Sequence, residues 1–462
     1  MALLIKGGRI LTHSDDYVSD IYCAGETITR IEKQIDAHAV PPGTEVIDAT
    51  GRYVFPGFID PHVHIHLPFM GTFAADDYES ASKAALAGGT TTLIEMICPG
   101  PADEPYDAYQ TWMSKAKGIA SVDFSFHMSV VRFDEKVRDQ FTAIVKDGVA
   151  SFKVFLAYKG ALNLSDEHLF AMMLQAKKEG VIVTAHCENA DAVAAMQERL
   201  IASGRTGPEW HGPSRPPIVE ADGVHHLCTF AELTGAHVYT VHTSCDAAIR
   251  EATAARARGV HVWIESVIPH FMLDETFAEK PDFEGAKFVM SPPLRAKANQ
   301  DVLWTALNAR IISTIATDHA PFTLEQKRMG IGAFTRIPNG IPSVQERVDL
   351  MHSYGVARMD VSLQTLVSAC STQAAMLFGM YPRKGAVQVG SDADLVVYDP
   401  GWRGTFNQKD SYSKADYNAY EGWEKRGRAS IVTVRGAVQV RDGRFVGTKG
   451  TGQFIARAPT HG

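Results

Sequence analysis

Histidine recurs at every second position of DPHVHIH, residues 60–66, as His62, His64 and His66. Side chains two apart on a β-strand share a face, so a strand here presents its imidazoles side by side. Further on, Lys153 lies inside SFKVFL, His186 ends VIVTAH, His242 ends HVYTVH, and Asp318-His319 end ISTIATDH. Imidazole nitrogens and carboxylate oxygens suit zinc and its first-row neighbours. A lone histidine at a strand end is most often a structural hydrogen-bonding residue. The combination of an HxH pair with Lys, His, His and Asp, each at or near the end of its own β-rich run, points to a metal centre. Lys153 is the odd member, because an ammonium has no lone pair to give a metal. It either pairs with a buried carboxylate, or its free amine has added carbon dioxide to form a carbamate able to bridge two cations. Burial beside cations favours the free amine. Two divalent ions bring +4 against −3 from Asp318, a carbamate and a bridging hydroxide; a protonated lysine in place of the carbamate leaves +3 in a buried site.

The elements that must position these residues are legible as alternation. Eight short β-rich runs occur at 54–60, 91–96, 122–130, 151–156, 181–186, 237–242, 260–266 and 312–319. Amphipathic helical stretches lie between them, among them 76–89, 164–180 with Ser165 as N-cap, and 245–259. This alternation predicts an α/β fold, a (β/α)8 TIM barrel, with a doubly wound open sheet as the rival. The count of eight and the polar residues at strand C-termini favour the barrel, whose strand ends converge on one mouth. Both chain ends read as short strands with Gly and charged turns, such as LLIKGGRIL and ASIVTVRGAVQVRDGRFV. The organisation expected is a β-sandwich domain from residues 1–53 plus 386–462 around a catalytic barrel of 54–385.

Composition narrows the class. With 45 Lys and Arg against 53 Asp and Glu, a formal charge of −8, there is no basic excess to attract nucleic acid or an anionic membrane. No stretch approaches the roughly 18 apolar residues of a spanning helix. The apolar run Ala2–Ile5 is too short for a signal-peptide core, so a cytoplasmic enzyme is expected. Six scattered cysteines without a CxxC pair are read as reduced core residues, Cys187 and Cys245 included.

The motifs FPGFIDPHVH, GGTTT (88–92), SFKVFLAYKG (151–160), AHCEN (185–189), SRPP (214–217), VHTSC (241–245), FVMSPPLR (288–295), TDHAPF (317–322), IPNGIP (337–342) and GSDADLVVYDP (390–400) span the chain. Together they resemble the dihydropyrimidinase/D-hydantoinase group of the amidohydrolase superfamily. The resemblance implies a binuclear centre, zinc first, with manganese or cobalt as alternatives. His62, His64 and Asp318 would hold one ion, His186 and His242 the other, and N6-carboxylated Lys153 would bridge them. It also implies that Tyr158 meets the substrate carbonyl, that Ser291 and Asn339 bind the cyclic imide, and that Asp318 doubles as proton carrier. The activity implied is hydrolysis of a small cyclic amide, a dihydropyrimidine or 5-substituted hydantoin, to an N-carbamoyl amino acid by a metal-bridging hydroxide.

Dihydroorotases resemble HxHxR; here His66 fills the arginine's place, followed by Leu67-Pro68-Phe69, which suits a neutral ring. Leu67, Phe69 and Phe155 are expected to shape the pocket, with His66 at its rim rather than as a third ligand. Allantoinase, or another cyclic amide or imide hydrolase, is the alternative, since IPHFML (268–273) resembles that group. A non-catalytic dihydropyrimidinase-like scaffold is disfavoured because every ligand position is filled. His319 is given no role. Relatives imply a homotetramer, or a homodimer.

Overall fold

The computed structural model describes residues 2–461. Eight parallel strands form the barrel: β1 (Phe58–Val63), β2 (Thr90–Ile97), β3 (Asp123–Ser129), β4 (Ser151–Phe155), β5 (Ile182–His186), β6 (Val238–Thr240), β7 (Val262–Val267) and β8 (Thr314–Ala316). Each pairs with the next in sequence order, and a parallel bridge between Val63 and His319 brings the end of β8 back to β1. Parallel strands covered on both faces read as continuous apolar runs rather than alternating ones. TTTLIEMI of β2, buried at all eight positions, is an example. The connecting helices carry the expected caps. Ser165 accepts from the His168 N–H at the start of Asp166–Glu179, and Gly180 ends that helix in the left-handed region at φ 68°.

The run 54–60 serves two sheets. Tyr53–Pro56 pairs antiparallel with Leu395–Thr405 of the terminal sheet, and Phe58 then opens β1. Gly57 makes the crossing, because a Cβ there would lie 2.1 Å from Thr91 Oγ1.

The termini meet in one nine-stranded sheet, ordered from Arg444–Phe445 through Ala437–Arg441, Glu424–Val434, Leu395–Thr405, Tyr53–Pro56, Ala2–Leu11 and Asp16–Ala24 to Thr27–Glu32; Glu45–Asp48 also pairs with Ala2–Leu11. Ile28 and Ile31, at one end of this order, share a core with Ile431 and Val438 near the other. The sheet therefore folds over into a sandwich.

Beyond it the chain returns to the barrel. Phe124 N–H donates to Gln453 O (3.0 Å), Ile455 N–H to Phe124 O (2.7 Å), and Arg457 N–H to Gly148 O (2.8 Å). This tail closes the barrel at the N-terminal ends of β3 and β4, opposite the mouth.

Candidate metal centre

The mouth is built from strand ends. His62 lies on β1 and His64 just beyond it, Lys153 is central in β4, His186 ends β5, His242 follows β6 by two residues, and Asp318 follows β8 by two. All six are buried and line one cavity. His62 Nε2 and His64 Nε2 each lie 3.1 Å from Asp318 Oδ1, and the three residues form a compact donor group. The His186 and His242 rings are 4.5 Å apart, and His242 is 5.3 Å from His62. Three residues at the mouth, Tyr158 (φ 63°), His242 (φ 39°) and Asp318 (φ 51°), adopt the left-handed region. At roughly 1–3 kcal/mol each, such strain persists only where the surrounding structure imposes it.

A set of carboxylates orients the ligand candidates. His62 Nδ1 meets Glu265 Oε1 at 2.7 Å, which also accepts the His242 N–H (2.9 Å), while Tyr239 donates to Glu265 Oε2 (2.8 Å). His186 Nε2 meets Glu188 Oε2 at 2.7 Å, and Arg215 pairs with the same oxygen. Asp60 accepts from Thr317 Oγ1 (2.7 Å) and from the His62 N–H (3.2 Å), tying β1 to β8. Carboxylates behind metal-binding histidines fix ring orientation, and losing one typically weakens metal binding about 10–100-fold. A Glu265→Gln variant is therefore expected to bind zinc at least about tenfold more weakly in chelator competition; unchanged affinity would remove Glu265 from the site.

The electrostatics suit cation binding. Burial pushes Lys153 down to about 8, against the pull of Asp318 and Glu265. Burial likewise lowers His64 and His186, and takes His242 well below its ordinary value, leaving neutral imidazoles. At His62 burial is outweighed by Glu265 and Asp318, which raise it to about 9. Asp318, despite burial, is held well below the carboxylate range by His62 and His64. Positive charge is thus drawn to the point where His62, His64 and Asp318 converge.

The same cavity is lined by Tyr158, Ser291, Asn339, Leu67, Phe69 and Phe155, and Asn339 Nδ2 donates to Ser291 Oγ (2.8 Å). His66 does not line it. The strand stops at Val63, so period two ends there; φ at His66 is 57°, and its ring lies 5.9 Å from Tyr78. Sequence reasoning missed Glu265, Glu188 and Arg215 as orienting groups, and Cys98, Leu162 and Ala320 as lining. Glu188 and Arg215 stand in AHCEN and SRPP, and Glu265 is a carboxylate inside the apolar run VHVWIES; those were the available signals.

The donor set fits divalent ions on a structural test. Among the described residues, His242 Nδ1 and Lys153 Nζ are buried and lack hydrogen-bond partners, a costly arrangement unless something else satisfies them. A (β/α)8 barrel with this donor set at its C-terminal mouth defines a barrel protein with a candidate metal site. The amidohydrolase family model matches residues 53–438, and the chain belongs to that metal-dependent family. It is 40% identical to a D-hydantoinase of Geobacillus stearothermophilus, covering 99% of this chain and 97% of that one. It is 35% identical to a dihydropyrimidinase of Arabidopsis thaliana, covering 99% and 86%. A solved D-hydantoinase (dihydropyrimidinase) from Thermus sp. superposes with a TM-score of 0.98 at 56% identity, over 99% of this chain and 100% of that one.

Proposed function

We propose that this chain hydrolyses the cyclic amide of 5-substituted hydantoins and dihydropyrimidines, opening the ring to an N-carbamoyl amino acid. The observation that carries this reading is the cavity itself. Four imidazoles, a carboxylate and an unpartnered lysine face a wall of Leu67, Phe69, Phe155 and Leu162. Lys153 is the only lysine or arginine among the described residues lining it. With that amine given over to metal binding, no cationic side chain of the lining is left to receive a carboxylate such as dihydroorotate carries, so a neutral ring fits best.

In this reading His62, His64 and Asp318 would hold one ion and His186 and His242 the other, and Lys153, once its amine has added carbon dioxide and lost a proton, would supply a carbamate shared between them. Zinc is the first choice of metal for imidazole and carboxylate donors, with manganese and cobalt as substitutes. Bound ions of this kind acidify water and polarise carbonyls. Ser291 and Asn339 orient the imide edge of the ring. The Tyr158 hydroxyl, kept protonated because burial raises its pKa, donates to the oxygen that gains charge, a contact worth about 3 kcal/mol when well placed. Asp318 takes the proton of the attacking water and delivers it to the departing ring nitrogen. The apolar wall receives the exocyclic substituent.

Zinc-loaded protein assayed against dihydrouracil, hydantoin, D- and L-phenylhydantoin, allantoin and dihydroorotate tests the proposal. Turnover of dihydrouracil and the hydantoins, abolished by chelation and restored by zinc or manganese, is expected. Preferential turnover of allantoin or dihydroorotate would overturn it.

A further inference from the structure

The tail that closes the barrel carries Arg457 into its floor. The side chain is buried, and Nε donates to Ser125 Oγ (2.8 Å) while Nη2 donates to Ser151 Oγ (2.9 Å) and the Phe126 carbonyl. Burial draws its pKa down to about 9, and no carboxylate offsets this. A guanidinium kept there at such cost has its donors aimed at chosen acceptors.

Those acceptors lead to the metal clamp. Ser151 Oγ lies 2.6 Å from His127 Nδ1, and His127 Nε2 lies 2.9 Å from the Pro61 carbonyl, whose carbon is bonded to the nitrogen of His62. The direction of every bond is fixed. The Pro61 carbonyl only accepts, so Nε2 carries the imidazole proton. In a neutral imidazole Nδ1 then accepts, so Ser151 donates to it, and the Ser151 oxygen receives Arg457. The donors run Arg457, Ser151, His127, Pro61, without a conflict. Bonds aligned this way polarise one another.

The chain meets β1 at its weak point. The β1–β2 register runs through Asp60–Leu93 and resumes only at Val63–Glu95, skipping Pro61 and His62. His127, from β3, supplies the bond that the neighbouring strand does not. Ser151 also stands two residues before Lys153 on β4, so both point to the same side of that strand.

We propose that Arg457 is a positioning residue for the metal centre, holding His62 in its liganding pose from the opposite end of the barrel through Ser151, His127 and the Pro61 carbonyl. The C-terminal tail is thereby part of the machinery that retains metal. This rests on the metal-centre reading above, and the test separates the two.

Zinc-loaded full-length protein is mixed with excess chelator and metal release is followed in the wild type, Ser151→Ala, Arg457→Met, the double variant and Phe454→Leu. The last loosens tail packing against Phe124 and Phe126 without touching the relay. Release about tenfold faster in each relay variant, the scale of other groups that orient ligands, is expected, with the double variant no faster than the quicker single. Phe454→Leu should lower Tm and leave release unchanged. Wild-type release rates in both relay variants, or effects that multiply in the double variant, would overturn the relay. A wild-type protein that takes up no zinc would overturn the metal reading instead.

Discussion

Replacing Lys153 by alanine is expected to lower kcat/KM by about a thousandfold or more, with partial recovery when acetate or propionate is added. The amine is fully buried in β4 and has no hydrogen-bond partner. Removing it takes away an unsatisfied buried polar group, which offsets the loss of the packed side-chain stem and of the contact between Nζ and the Phe155 ring, 5.0 Å from its centroid. In the proposed centre it removes the group that would join the two halves of the donor set, His62, His64 and Asp318 on one side and His186 and His242 on the other. If the bridge organises Lewis-acid stabilisation worth about 4 kcal/mol, its loss corresponds to about three powers of ten in rate. A small carboxylate carries the same two oxygens as a carbamate and fits the space vacated. Full activity of the variant without any added acid would show that Lys153 bridges nothing.

Asp318→Asn is expected to lower kcat by about four powers of ten, more than it changes KM. Two functions fall together. Asp318 Oδ1 sits between His62 and His64 and contributes the negative charge of that donor group. Held well below the carboxylate range by those histidines, Asp318 stays ionised across the working pH range; the proton transfer proposed for it is a role worth about 10²–10⁴ in rate. Asparagine keeps the shape, tolerates the left-handed backbone at φ 51°, and offers neither the charge nor a proton acceptor. Unchanged thermal stability with lost turnover is the expected pattern. A loss confined to KM would move Asp318 out of the proton path.

Much of this was readable before any coordinates. Seven of the eight β-rich runs became barrel strands, and the first gave its last residues to β1, because parallel strands buried on both faces keep an apolar signature that short loops and amphipathic helices interrupt. That His62, His64, Lys153, His186, His242 and Asp318 line one cavity was legible because the barrel brings strand C-termini to one mouth, so residues hundreds of positions apart meet without any local signal linking them.

What the sequence did not show has equally local causes. Period two carried the eye past Val63 to His66, but the chain leaves the strand there and turns left-handed. The run 54–60 looked like one strand because Gly57, which passes the chain between two sheets beside Thr91, leaves no mark in hydropathy. Glu265 and Glu188 were invisible as orienting groups because a carboxylate's partner is set by tertiary packing. Arg457 sits in a polar-looking tail whose course under the barrel no sequence period announces.

The central claim is that two cations, held by the two halves of this donor set, do the work together. Metal-free protein titrated with zinc, with hydrolysis of hydantoin followed at each addition, tests it most directly. Activity should rise to a sharp break at two equivalents per chain. A break at one equivalent, or turnover indifferent to zinc, would contradict it.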